Sequence, residues 1–162
     1  MELKDSRLDM LLVDDNAIDA MFFRRGVKKS RLNILLQTVT AGQEAIDYLE
    51  AKGPFADRSR YPLPDVIVLD LRMPQVNGFD FLAWRKVSPF FSTIPVVVFS
   101  GAGDPEEVRQ VCELGASKHI VKPSESDEWE KVVKDIWDFT ITGTSFLRNP
   151  KDASGQAGQR AA

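Results

Sequence analysis

The chain has 162 residues, with 21 basic against 24 acidic side chains and a formal net charge of −3. That length suits one domain with a real core and is short for two. At 43% hydrophobic and 28% charged the composition is that of a soluble globular protein. A pI near 5.2 gives no electrostatic footprint for nucleic acid or an anionic membrane surface. The one cysteine, Cys112, excludes an intramolecular disulfide and a cysteine zinc cluster, and the one histidine, His119, excludes a two-histidine metal site. Acidic residues on both sides of the first apolar stretch argue against a signal peptide, and no apolar run approaches a membrane span. The expected compartment is the cytoplasm.

A first apolar run at 10–13 is followed by an amphipathic stretch over 17–28 that carries Ile18, Met21, Phe22 and Arg25. A less pure run at 34–39 leads into a helix over 41–51, opened by Thr40-x-x-Gln43, a capping-box pattern. The stretch 53–64, GPFADRSRYPLP, is longer than most connections and is expected to be an irregular surface loop. Next come a run at 66–69, a helix over 78–87 with Phe79, Leu82 and Ala83 on one face, and a run at 94–99. The fourth helix opens with Asp104-Pro105-Glu106-Glu107, an N-cap carboxylate, a proline at the first position and acids where the macrodipole favours them. After a short run at 120–121, the fifth helix spans 127–140 and repeats Trp129, Val132, Val133, Ile136 and Trp137 at helical spacing. Beyond about 142 the periodicity is lost, so 8–142 is expected to be the domain and 143–162 a disordered tail.

Short runs of Val, Ile and Leu with little alternation suit strands covered on both faces. Alternating with helices, they predict an α/β fold, a doubly wound parallel (βα)5 sheet with right-handed crossovers. In such a sheet ligands bind outside the carboxyl ends of the strands, where the strand order reverses. There the runs end in Asp14-Asp15, Asp70, Ser100 and Lys122. Each alone has an ordinary reading as a turn residue, a helix cap or a solvated charge. Together, three carboxylates repel unless a cation sits among them, and Mg2+ suits a few carboxylates, waters and phosphate oxygens. A carboxylate beside Mg2+ and a lysine is also set up to attack phosphorus, with Ser100 and Lys122 neutralising the equatorial oxygens.

The set Leu12-Val13-Asp14-Asp15, Leu69-Asp70-Leu71-Arg72-Met73-Pro74 with Gly78 following, Phe99-Ser100-Gly101-Ala102 and Val121-Lys122-Pro123 resembles the receiver domain of bacterial two-component response regulators. The resemblance covers about residues 8–140. It implies a flavodoxin-like fold with strand order 2-1-3-4-5, and Asp70 as acceptor of a phosphoryl group from a sensor histidine kinase. It further implies Mg2+ held by Asp14, Asp15, Asp70 and the backbone carbonyl of Arg72. Ser100 would hydrogen-bond the phosphoryl group, Lys122 would pair with it, and the Lys122-Pro123 bond would be cis. His119 stands where the family usually has its switch aromatic, so Ser100 and His119 are the switch candidates. Arg72 is longer, and Ala102 smaller, than expected beside a phosphoryl site. The 53–64 loop and the aromatic fifth helix resemble single-domain regulators associated with bacterial phytochrome kinases.

Other readings are weaker on the residues. A nucleophile elbow at Ser100 fails because Val98 stands where a glycine is needed, and His119 is the only base. Gly101-x-Gly103 with Glu106 is no dinucleotide fingerprint. An aspartyl phosphatase would need a second acid two residues after Asp70, where Arg72 stands. A non-phosphorylated interaction module on the same fold stays open. No output domain fits in the remaining tail, so the expected output is contact with a downstream protein through the fourth helix, fifth strand and fifth helix. No enzyme activity beyond self-phosphorylation and dephosphorylation, no nucleic acid and no membrane partner is expected. Trp129, Trp137, Phe139, Ile141, Phe146 and Leu147 amount to more apolar surface than one helix side hides, and predict a symmetric homodimer through the fourth and fifth helices.

Overall fold

Alternate residues of each apolar run enter opposite cores of one sheet. In the computed structural model, which describes residues 7–143, the strands are β1 (Leu8–Val13), β2 (Ile34–Val39), β3 (Val66–Leu69), β4 (Val96–Ser100) and β5 (Lys118–Val121). All neighbours pair in parallel in the order β2-β1-β3-β4-β5. Leu11, Val13, Ile67, Leu69, Val96 and Val98 point to one side, against α2 (Gly42–Leu49), α3 (Gly78–Lys86) and α4 (Pro105–Glu113). Met10, Leu12, Val66, Val68, Val97 and Phe99 point to the other, against α1 (Ala17–Ser30) and α5 (Trp129–Thr142). Burial on both faces is why the sequence runs lack polar alternation. Among the described residues no helix is long and apolar enough to cross a membrane.

Two local expectations change. β4 begins at Val96 because Pro95 has no N–H for the ladder, and Ile94 instead closes a turn by donating to the Phe91 carbonyl. Thr40 and Gln43 form no capping box. Thr40 donates to Glu44 through both its hydroxyl (2.7 Å) and its backbone N–H (3.3 Å), and Gln43 turns to Asp47. The N-cap of α2 is Ala41, without a side-chain bond. The segment 53–64 is the expected irregular surface loop, with one 3-10 turn, Gly53–Phe55, and it is tied down from within. The Tyr48 hydroxyl donates to the Pro62 carbonyl at 2.9 Å, and Arg58 donates to the carbonyls of Tyr48, Leu49 and Tyr61.

The aromatic residues of α5 are core. Trp129, Trp137 and Phe139 are buried, and Trp129 stacks on Phe22 at 5.6 Å and meets Phe99 edge-on at 5.3 Å. They therefore supply no excess apolar surface for the expected homodimer, and Phe146 and Leu147, with the expected tail, lie outside the described residues. Gly26 lets α1 approach this point: a Cβ there would lie 2.9 Å from the Trp129 carbonyl oxygen. Gly26→Ala is expected to cost about 1–3 kcal/mol through overpacking against backbone. Urea denaturation checks this, and an unchanged midpoint would contradict so close a helix contact.

Candidate functional site

Strand register brings the site together. Val13 pairs with Leu69, so Asp14 and Asp70 leave adjacent strands side by side, and the Asp70 N–H donates to the Val13 carbonyl at 2.9 Å. Ser100 pairs with Val121, and the Lys122 N–H donates to the Ser100 carbonyl at 2.7 Å. β1 lies between β2 and β3, so the chain departs in opposite directions on either side of it and opens a crevice at its carboxyl end.

One oxygen from each of Asp14, Asp15 and Asp70 lies within 4.8 Å of the others, with Asp14 and Asp70 buried and Asp15 exposed. Lys122 closes the cluster. Its ammonium donates to Asp14 Oδ2 at 3.0 Å and to Asp19 Oδ2 at 2.8 Å, and lies 3.6 Å from Asp70 Oδ1. Burial works against the lysine's charge, but the hydrogen bonds to Asp19 and Asp14 outweigh it and hold its pKa above the ordinary value. Asp70 is pushed up to about 6 by burial, with Asp14 and Asp15 adding to the rise and Lys122 and the Arg72 N–H opposing it. Around it the backbone is shaped by Asn16, whose side chain caps α1 and whose N–H donates to Asp14 Oδ1 at 2.9 Å. Opposite, a capping box between Asn77 and Asp80 starts α3. Gly78 is needed there, since a Cβ would stand 2.6 Å from the Asp70 carbonyl oxygen.

The Lys122-Pro123 peptide is not cis, as no described peptide bond is, and the lysine reaches the acidic cluster with the trans bond. Ser100 is occupied by other partners in this structure. Its buried hydroxyl lies 2.9 Å from the Ala102 carbonyl, 3.2 Å from Glu107 Oε2 and 2.9 Å from His119 Nε2, and makes no hydrogen bond to Asp70 among the described residues. His119 has a side chain 5% exposed, and burial pulls its pKa below 6.5 while Glu107 opposes the fall. Arg72 faces both groups. Its N–H donates to Asp70 Oδ1 at 3.4 Å, and its guanidinium reaches Glu107 Oε1 at 2.7 Å.

Sequence reasoning missed Asp19 and the inward role of Glu107. Both are first-turn acids, which look the same whether they serve a helix dipole or a site. The available signal was position: Asp19 opens the helix that follows Asp14-Asp15, and Glu107 stands four residues before buried Val111, on the same helix face.

The chain belongs to the response regulator receiver domain family, whose model matches residues 10–134. It is 28% identical to response regulator Rcp1 of Synechocystis sp. over 132 residues, covering 82% of this chain and 88% of that one. The structure of the Mn2+-bound form of Rcp1 superposes with a TM-score of 0.72 at 27% identity, over 88% of this chain and 99% of the other. The phosphorylated cyanobacterial phytochrome response regulator RcpA gives a TM-score of 0.76 at 28% identity, over 86% and 98%. The bacteriophytochrome response regulator AtBRR gives 0.66 at 30% identity, over 82% and 94%.

The raised pKa of Asp70 makes a stability prediction. With 3.8 as its ordinary value and about 6 in the fold, the folded chain holds this proton more tightly than the unfolded chain does. Stability is therefore lost as pH rises from below 4 through 6. In chelator, Asp70→Asn is expected to be more stable than the parent at pH 7.5, by up to roughly 3 kcal/mol. The gain should shrink toward pH 4.5 in urea denaturation, and an equal gain at both pH values would contradict this origin.

Proposed function

We propose that this chain accepts a phosphoryl group on Asp70 from a sensor histidine kinase, and signals by contact with a downstream protein. The observation that carries the reading is the single crevice that gathers Asp14, Asp15 and Asp70, with Lys122 against Asp14 and Asp70. In the transfer, an Asp70 oxygen forms a bond to phosphorus as the donor's P–N bond breaks, and the donor histidine nitrogen keeps the electron pair. Lys122 and the Arg72 N–H both contact Oδ1, which leaves Oδ2 to attack. Lys122 opposes the burial that favours the protonated, unreactive carboxyl. It is also the ammonium that pairs with the new phosphoryl oxygens. Ser100 would hydrogen-bond them after leaving its present partners, with His119 as the second switch element.

The donor set fits a hard divalent cation: three oxygens close together, two of them on buried carboxylates, opposed by one ammonium. Asp14, Asp15, Asp70 and the Arg72 carbonyl would hold Mg2+, which when bound would neutralise the carboxylates and the phosphoryl oxygens. That the similar protein Rcp1 has a Mn2+-bound form supports a divalent cation as ligand of this chain. RcpA and AtBRR, named for phytochromes, support a kinase of phytochrome type as partner. The face of α4, β5 and α5, with Val121 47% exposed, is the proposed output surface. It is also where a homodimer would form, and the proposed location is the cytoplasm.

Asp70→Asn is expected to abolish labelling by a small phosphodonor in Mg2+ while leaving the circular dichroism spectrum unchanged. Stoichiometric labelling elsewhere would overturn the assignment. In calorimetry Asp15→Ala should weaken Mg2+ by tenfold or more, of order 1.4 kcal/mol, and Arg72→Ala far less, because position 72 contributes a carbonyl. Equal losses would count against backbone coordination.

A further inference from the structure

Glu107 takes no part in the acidic cluster, yet its carboxylate is 6% exposed and three groups converge on it. Arg72 Nη2 lies 2.7 Å from Oε1. The Ser100 hydroxyl lies 3.2 Å from Oε2, and His119 Nε2 lies 3.9 Å from that same oxygen. Donor and acceptor inventory favours one tautomer: a bare Nε2 accepting the Ser100 proton would leave both the Glu107 and Ala102 oxygens facing Ser100 Oγ without a proton between, and Nε2–H leaves only one of them so. Glu107 and the Ala102 carbonyl only accept, and Ser100 has one proton, which goes to one of them. The 2.9 Å contact between Ser100 Oγ and His119 Nε2 is then a hydrogen bond donated by the histidine, which carries its proton on Nε2.

We propose that Glu107 is a positioning residue, an internal anion that holds the Arg72 guanidinium and the Ser100 hydroxyl off Asp70 until a phosphoryl group there competes for them. This rests on the Asp70 reading above. A phosphorylated Asp70 places a second anion, of charge near −2, two residues from Arg72 and beside the end of β4. It draws the same donors more strongly than one carboxylate does. The Arg72 side chain is 76% exposed, so water solvates its guanidinium once it leaves Glu107, and the cost of the exchange falls on Glu107. Glu107 is buried, and losing both partners would leave it uncompensated. His119 Nε2–H, already the next donor along, takes their place. An apolar ring at position 119 would have no proton to offer, which gives a physical reason for histidine there.

Two measurements test the exchange. Labelling of Asp70 by acetyl phosphate in Mg2+ should be about fivefold faster in Glu107→Gln than in the parent, the factor expected for loss of a partly exposed ion pair. The chain has a single histidine, so 15N-histidine spectra of the parent report position 119 alone. They should show the Nε2-protonated tautomer before phosphodonor is added, and a larger change at Nε2 than at Nδ1 afterwards. A parent-like labelling rate in folded Glu107→Gln overturns the proposal but leaves Asp70 as acceptor. The Nδ1 tautomer, or ring signals unmoved once Asp70 is fully labelled, overturns it too, whether or not the variant folds. Absence of any labelling at Asp70 in the parent overturns both readings.

Discussion

Like charges held at the ends of neighbouring strands govern this molecule. Because β1 and β3 pair with Val13 opposite Leu69, their next residues, Asp14 and Asp70, emerge together from the same edge and are both buried. Asp15 and Asp19 add two further carboxylates, and only Lys122 among the described cations enters the cluster. One ammonium, in contact with three of the four carboxylates, leaves the excess negative charge that burial makes costly. The high pKa of Asp70 is the visible sign of that cost. A site of this kind favours a group that brings positive charge to the crevice, and it is destabilised by its own ionisation when nothing does.

The second network depends on the first through Arg72. Its backbone N–H points at Asp70 while its guanidinium crosses to α4 and meets Glu107. Ser100 closes the loop from the other side. It lies at the end of β4, beside the Lys122 backbone, but its hydroxyl is given to Glu107, His119 and Ala102. The acidic cluster and the pair of Ser100 and His119 are thus joined at two residues, each of which faces one network with its backbone and the other with its side chain.

Much of this was legible in the sequence, for a physical reason. Strands covered on both faces leave uninterrupted Val, Ile and Leu runs, and the residue that ends each run is carried to the sheet edge, so Asp14, Asp70, Ser100 and Lys122 could be named without coordinates. Resemblance, not periodicity, supplied the strand order, since a run of apolar residues carries no information about its neighbours. Register was likewise hidden. First-turn acids were the main blind spot: Glu44, which Thr40 chose over Gln43, Asp19, which found Lys122, and Glu107, which found Arg72, differ from dipole-serving acids only in what lies opposite. The aromatic residues of α5 misled in the reverse sense, because they are core: Gly26 lets α1 close on Trp129, and Phe22 stacks on its ring.

The central claim is that burial, with the neighbouring carboxylates adding to it, raises the Asp70 pKa above the ordinary aspartate value, and that a divalent cation relieves the conflict. A 13C NMR titration of the Asp70 carboxyl, in chelator and then in Mg2+, tests it most directly. The account predicts a midpoint near 6 in chelator and a clear fall when Mg2+ is added. A midpoint near 3.8, the ordinary aspartate value, that Mg2+ does not move would contradict it.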